Sequence, residues 1–165
     1  ATLDVARAIA DGGRANDLAL YTGNDDNIYG DLLTTYRFGE VEVPFRGGLL
    51  GQWAVWTKKA VEAMNLFREM REQNRPVPRE LLTQAQQLTD ANAVIFDSAN
   101  QFAGCIPGIH EVLRRQGLLE NVLTLNPNED LSPGQQEAIE RVYQLYPDLN
   151  DDTFVKENLD RWLED

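Results

Sequence analysis

The sequence predicts an α/β fold in its first 73 residues and helices alone after that. Two strand patterns alternate with three helical patterns before residue 73, and this order favours parallel strands joined by helical crossovers. A break follows at 74–78, Asn-Arg-Pro-Val-Pro, because proline removes a backbone donor and restricts the residue before it. We therefore divide the chain into residues 1–73, with strands and helices, and residues 78–165, a helical extension.

The first strand is predicted between two helices. Residues 3–10 carry apolar side chains at helical spacing, and Gly12-Gly13 ends this helix. Leu18 to Tyr21 is a short apolar run that predicts a buried strand, and Ile28 to Tyr36 predicts the second helix. The turn between them holds Gly23 and a group of Asn and Asp residues. In α/β enzymes, ligands bind at this carboxyl end of a strand.

The second strand runs into a glycine-rich turn. Residues 40–45 alternate polar and apolar side chains, which predicts a strand, and Gly47, Gly48 and Gly51 follow. Glycine lets a backbone approach a neighbour closely or adopt positive φ. The phosphate-binding patterns Gly-x₄-Gly-Lys-Ser/Thr and Gly-x-Gly-x-x-Gly are absent, so a turn from strand to helix is favoured over a phosphate loop. A long amphipathic helix is predicted from Gln52 to about Gln73.

The helical extension contains four predicted helices, and the third begins at a recognisable cap. The predicted helices are 79–100, 109–116, 132–146 and one that begins at Asp152. Ser132 followed by Pro133 is typical of a helix start, with serine as N-cap and proline at the first position.

Composition limits the classes of partner. The net charge of −12 opposes binding to nucleic acid and to anionic membranes, which carry dense negative charge. No apolar run approaches the ~18–20 residues of a membrane helix. The single Cys105 excludes an internal disulfide and fits a reducing cytoplasm.

Few residues point to metal or nucleophilic chemistry. Asp25, Asp26 and Asp31 resemble part of a calcium loop, but Tyr36 stands where a bidentate Glu is needed, so helix capping is the favoured interpretation. His110 is expected to pack within the fold or to lie on the surface and not to be catalytic, and Cys105 is expected to be a buried free thiol. We expect no metal site, no cofactor and no catalytic residue in this chain.

The order of these pieces resembles the dihydrodipicolinate synthase/N-acetylneuraminate lyase family. The motif Tyr-Thr-Gly-Asn-Asp-Asp at 21–26 follows a strand, a later strand runs into Gly47-Gly48, and a long helix and a helical tail follow. The stretch 102–110, Phe-Ala-Gly-Cys-Ile-Pro-Gly-Ile-His, resembles the entry to that family's penultimate helical region. The resemblance covers nearly all 165 residues.

The resemblance implies the C-terminal part of a (β/α)₈ TIM barrel, its last two strands with their helices in 1–73, followed by the helical extension. Family members are commonly oligomeric class I aldolases or hydro-lyases, in which a lysine forms a Schiff base with pyruvate or a related 2-oxo acid. The resemblance places that lysine outside this chain. Lys58, Lys59 and Lys156 lie in predicted helices, so we expect this chain alone to be inactive.

The resemblance also implies which residues line the substrate pocket. Gly23 and Asn24 would end one strand, and Gly47 and Gly48 would end the next. Asn24 stands where the family often has an acidic residue. Arg46 is a candidate to hold a second carboxylate, with an ion pair to Glu40 or Glu42 as the alternative. A rival hypothesis is a non-enzymatic helical module for interaction or oligomerisation, because everything from Gln52 onward can pack as helices.

Overall fold

The computed structural model describes residues 1–164, which form a small sheet and seven α-helices. In chain order, the elements are α1 (Thr2–Asp11), β1 (Leu20–Thr22), α2 (Ile28–Leu33), β2 (Thr35–Phe38), β3 (Val41–Gly48), α3 (Thr57–Glu72), α4 (Arg79–Ile95), α5 (Cys105–Arg115), α6 (Gln135–Leu145) and α7 (Asp152–Leu163). None of the helices in the described chain has the length and apolar character to cross a membrane.

The chain divides into two compact units. The first, here the sheet unit, comprises Ala1–Leu50 and Glu62–Ala85, and the second, here the helical unit, comprises Gly51–Val61 and Gln86–Asp165. The sheet unit has a core in which Ala6, Ile9 and Ala10 of α1 pack with Val43 of β3. The helical unit has its own core, formed by Val55, Trp56, Ala91, Ile95, Val112, Ile139, Val142 and Leu149.

The sheet has three strands in the order β1-β3-β2. β1 runs parallel to β3, with Tyr21 opposite Gly47 and Thr22 opposite Gly48. β2 runs antiparallel to β3 and is joined to it by Gly39 and Glu40. Gly39 has a φ of +61°, which a primed two-residue hairpin turn requires at its first position.

The predicted C-terminal part of a (β/α)₈ barrel is wrong. A barrel of that kind needs parallel neighbours on both edges of each strand. Here β2 pairs antiparallel with residues 41–44 of β3. It occupies the edge of β3 that a further parallel strand would need, and the sheet is therefore a small mixed one. The error began at Thr35–Phe38, part of which was predicted to continue the second helix; α2 ends at Leu33 instead.

The predicted helix from Gln52 begins later than the apolar pattern indicates. A single 3₁₀ turn covers Gly51–Ala54, Trp56 adopts a φ of +57°, and α3 starts at Thr57. The Trp56 side chain is buried in the core of the helical unit, with its ring edge-on to Tyr143 at 5.3 Å between centroids. With this large side chain in the core, the backbone at Trp56 has a positive φ. An α-helix cannot include that conformation, so α3 begins after Trp56.

Candidate functional site

Four of the predicted site residues lie together at the carboxyl ends of β1 and β3. The parallel register places Thr22 opposite Gly48, and the backbone N–H of Leu49 donates to the Thr22 carbonyl at 2.8 Å. Gly23 and Asn24 therefore leave the sheet beside the point where Gly47 and Gly48 end β3. We call Gly23, Asn24, Gly47 and Gly48 the strand-end site.

A neighbouring ring lies close over the backbone of Gly47. A Cβ added to Gly47 would lie 2.5 Å from Cε1 of Tyr21, its partner in the parallel register. The Tyr21 ring covers this backbone while remaining half-exposed itself. Gly23 is different, because the nearest atom to an added Cβ is the Leu49 carbonyl oxygen at 3.8 Å, which is ordinary contact. The open side of the strand-end site is therefore at Gly23 and Asn24.

The turn after β1 is held by Thr22 and Asp31. The Thr22 hydroxyl donates to the Asp31 carboxylate at 2.5 Å and accepts from the Asn24 backbone N–H at 3.1 Å. Asn27 precedes α2 without a side-chain capping bond, and its amide donates weakly to Asp31 at 3.5 Å. Sequence reasoning missed this pair, because a hydroxyl and a carboxylate nine residues apart have no local signature.

The acidic turn is not arranged as a metal site. Within residues 1–164, no group of three or more His, Cys, Asp or Glu side chains is placed to hold a metal ion. Asp31, one of the three carboxylates of the calcium interpretation, instead accepts from Thr22. Side-chain capping of α2 was the favoured interpretation of this turn. The structure instead shows Thr22 and Asp31 linking β1 to α2.

Arg46 belongs to a different surface from the strand-end site. Val43, Phe45 and Gly47 are buried, whereas Arg46 alternates with them and is exposed, so its side chain leaves the opposite face of β3. There it lines an open cavity of about 1020 Å³ within the sheet unit, and no residue of the strand-end site lines that cavity. The alternative ion pair to Glu42 does not form, since Glu42 pairs with Arg37 at 2.8 Å.

Four arginines line this cavity, which we call the arginine cavity: Arg37 and Arg46 on the strands, and Arg68 and Arg71 on α3. A guanidinium nitrogen of Arg71 donates to the Leu32 carbonyl. Burial lowers the pKa of Arg71 below its ordinary value, and the positive charges of Arg46 and Arg68 lower it further. The cavity therefore concentrates positive charge that the protein itself only partly neutralises.

The lysines, the histidine and the cysteine lie elsewhere. All three lysines belong to the helical unit, where the Lys58 ammonium lies 5.6 Å from the centroid of the Phe154 ring. His110 is half-buried and has Nδ1 3.0 Å from the Leu123 carbonyl oxygen. The Cys105 thiol is half-buried; burial raises its pKa, and Asp97 and Glu129 raise it further, which favours the protonated thiol.

Known proteins give no relative from which a role could be transferred. No family model, no curated protein and no solved structure matches the chain.

Proposed function

We propose that this chain supplies the 2-oxo acid-binding wall of a Schiff-base aldolase or lyase of the dihydrodipicolinate synthase/N-acetylneuraminate lyase type. The observation that supports this proposal is the strand-end site, in which parallel pairing brings Gly23 and Asn24 beside Gly47 and Gly48. The proposal does not require a barrel, because it rests on one pair of parallel strands and the carboxyl ends they share.

The strand-end site has the chemistry to hold a small carboxylate. Exposed Gly23 carries no side chain, so a ligand can reach the backbone there, and backbone N–H groups in turns are good donors to anions. The Asn24 side chain is exposed and adds an amide donor to the same place. The link from Thr22 to Asp31 fixes the turn that carries both residues.

The Schiff-base lysine of the proposed reaction is assigned to a segment outside this chain. A lysine that attacks a carbonyl must be a neutral amine near pH 7, which requires a desolvated pocket. Lys58 and Lys59 are only half-buried and Lys156 is exposed, and all three belong to the helical unit. We further propose a cytoplasmic, homo-oligomeric protein, since its single cysteine is a free thiol and large apolar side chains such as Leu49 are exposed.

An NMR titration with pyruvate tests the proposal. We expect saturable shifts of the backbone amides of Gly23, Asn24, Gly47 and Gly48 at millimolar pyruvate. Asn24→Leu should weaken binding by roughly tenfold, the effect of losing ~1.4 kcal/mol of hydrogen bonding. Asn128→Leu is the matched control, because Asn128 is equally exposed but lies in the helical unit.

Two results would contradict the proposal. One is the absence of any pyruvate-dependent shift at the strand-end site. The other is a covalent adduct on Lys58, Lys59 or Lys156 after treatment of the chain with pyruvate and borohydride, located by mass spectrometry of peptides. Such an adduct would place the Schiff base within this chain.

A helical interaction module is the second candidate, and one observation favours it. The helical unit has a hydrophobic core of its own and leaves Leu123 and Leu125 largely exposed between α5 and α6. Contiguous exposed apolar surface is typical of sites that bind other proteins, and these two leucines stand two residues apart in one connection. This candidate predicts no pyruvate-dependent shifts, so the same titration separates the two functions.

A further inference from the structure

Arginine side chains are concentrated at one place in a chain that is acidic as a whole. The net charge is −12, yet four of the twelve arginines line one cavity of the sheet unit. Arg37 and Arg46 come from β2 and β3, and Arg68 and Arg71 lie three residues apart on α3. Residues three apart on a helix share a face, so the strands and the helix direct guanidinium groups into the same space.

Only part of this positive charge is neutralised by the protein. Arg37 is paired with Glu42, and Arg71 donates to a backbone carbonyl. Within residues 1–164, Arg46 and Arg68 take part in no ion pair and no side-chain hydrogen bond. Glu40 and Glu72 also line the cavity, but neither lies within ion-pair distance of these two guanidinium groups.

The remaining cations also repel one another. The charges of Arg46 and Arg68 both lower the pKa of Arg71, after the larger effect of burial, whereas the Glu72 carboxylate has the smaller opposite effect, so the three guanidinium groups are close enough to interact. Like charges held close together raise the free energy of the empty site. An anion that bound there would offset this repulsion.

We propose that the arginine cavity binds a small molecule with at least two oxyanion groups, one held by Arg46 and one by Arg68 and Arg71. A planar guanidinium presents two parallel N–H donors that match the oxygens of a carboxylate or a phosphate. The cavity, at about 1020 Å³, has room for a metabolite-sized ligand. The apolar side chains of Leu33, Pro44 and Met64 line the same space and can contact its carbon skeleton. This proposal does not rest on the strand-end site.

Isothermal titration calorimetry with two probes tests the cavity and identifies the chemistry of its ligand. Citrate carries only carboxylates and pyrophosphate only phosphates, and each is titrated separately in a buffer without competing oxyanions. We expect at least one probe to bind with 1:1 stoichiometry and an affinity that falls as salt rises. Binding of citrate alone identifies a polycarboxylate ligand, and binding of pyrophosphate alone identifies a phosphorylated one.

Single substitutions locate the binding. Arg46→Ala and Arg68→Ala should each weaken the affinity for the probe by at least about tenfold, while circular dichroism stays unchanged because both side chains are exposed and neither makes an ion pair or a side-chain hydrogen bond within the described residues. Arg79→Ala is the matched control, since it removes one charge from the sheet unit outside the cavity. The proposal is overturned if neither probe binds at 1:1, or if Arg79→Ala weakens binding as much as Arg68→Ala.

Discussion

The two units use their polar side chains in opposite ways. The helical unit buries seven polar or charged side chains: Gln52, Asn92, Asp97, Glu111, Gln116, Gln135 and Asp151. In the sheet unit Thr22 is the one buried polar side chain among the described residues. A buried polar group is costly unless it is hydrogen-bonded; the helical unit bonds six of these side chains internally, whereas Nε2 and Oε1 of Gln52 have no hydrogen-bond partner among the described residues. The sheet unit instead leaves guanidinium and amide groups accessible to a ligand.

Asp97 shows how the helical unit satisfies its interior. Its carboxylate accepts from the Ser132 hydroxyl at 2.6 Å, the Asn100 amide at 2.7 Å and the Gly104 backbone N–H at 2.9 Å. Burial raises the pKa of Asp97, but these three bonds outweigh it and lower the pKa below its ordinary value. Gln135 completes the network by donating to the Gly104 carbonyl at 3.0 Å.

Among the substitutions that test this difference between the units, Gly108→Ala is expected to have the largest effect on stability. A Cβ at Gly108 would lie 2.0 Å from the Ile95 carbonyl oxygen and 2.7 Å from Nε2 of Gln135, so α4 and α5 would have to separate. We expect a loss of about 3 kcal/mol in the free energy of unfolding, measured by urea denaturation of the helical signal. Gly23→Ala in the sheet unit is the control and should change stability by less than ~0.5 kcal/mol. Equal effects of the two substitutions would show that close helix packing is not what distinguishes the helical unit.

A smaller loss is expected from Asp97→Ala. The substitution leaves three donors near a buried position without their acceptor, and it puts alanine at a φ of +57°. We expect a loss of about 2 kcal/mol, measured by the same denaturation. Asp97→Asn should recover part of it, because asparagine keeps an acceptor oxygen and tolerates positive φ. If both variants were as stable as the wild type, the polar interior would not be needed for the fold.

The same contrast explains what the sequence could predict. Helices with many apolar residues, such as α4 from Arg79, follow from periodicity alone. Ser132 was predicted to cap α6, but its hydroxyl bonds to Asp97, 35 residues away, and Gly134 precedes the helix. Local patterns carry no information about such distant partners.

The sheet unit was harder to predict for two different reasons. Thr35–Phe38 is short, and its strand conformation depends on pairing with β3, which no local pattern encodes. Gly23, Asn24, Gly47 and Gly48 lie at two neighbouring strand ends, as the alternation of strands and helices predicts, whereas their role in binding a substrate stays a prediction. Nothing in the local pattern distinguishes Arg68 and Arg71 from an ordinary polar helix face, and only the fold brings them to the cavity that Arg46 lines.

The smallest expected effect on stability comes from comparing the loss of a buried carboxylate with the loss of an exposed one. Glu111 is 2% exposed, and its hydrogen bonds from Arg114, followed by those from Arg115, lower its pKa despite burial. A carboxyl with a lowered pKa in the folded state stabilises the fold above its ordinary pKa of 4.5, and this contribution is lost as the pH falls through the folded value. We therefore expect Glu111→Gln to cost about 1–2 kcal/mol at pH 7 and progressively less below pH ~4.5, measured by urea denaturation across pH.

The matched substitution in the sheet unit is Glu42→Gln, which removes the exposed ion pair with Arg37. Exposed pairs contribute ~0–1 kcal/mol because solvent screens them and both side chains lose freedom. We expect a change below ~0.5 kcal/mol at pH 7. The contrast between the units would fail if Glu42→Gln cost as much as Glu111→Gln, or if the cost of Glu111→Gln were the same at pH 7 and pH 3. It would hold if only the substitution in the helical unit depended on pH, because only there is the carboxylate part of the interior.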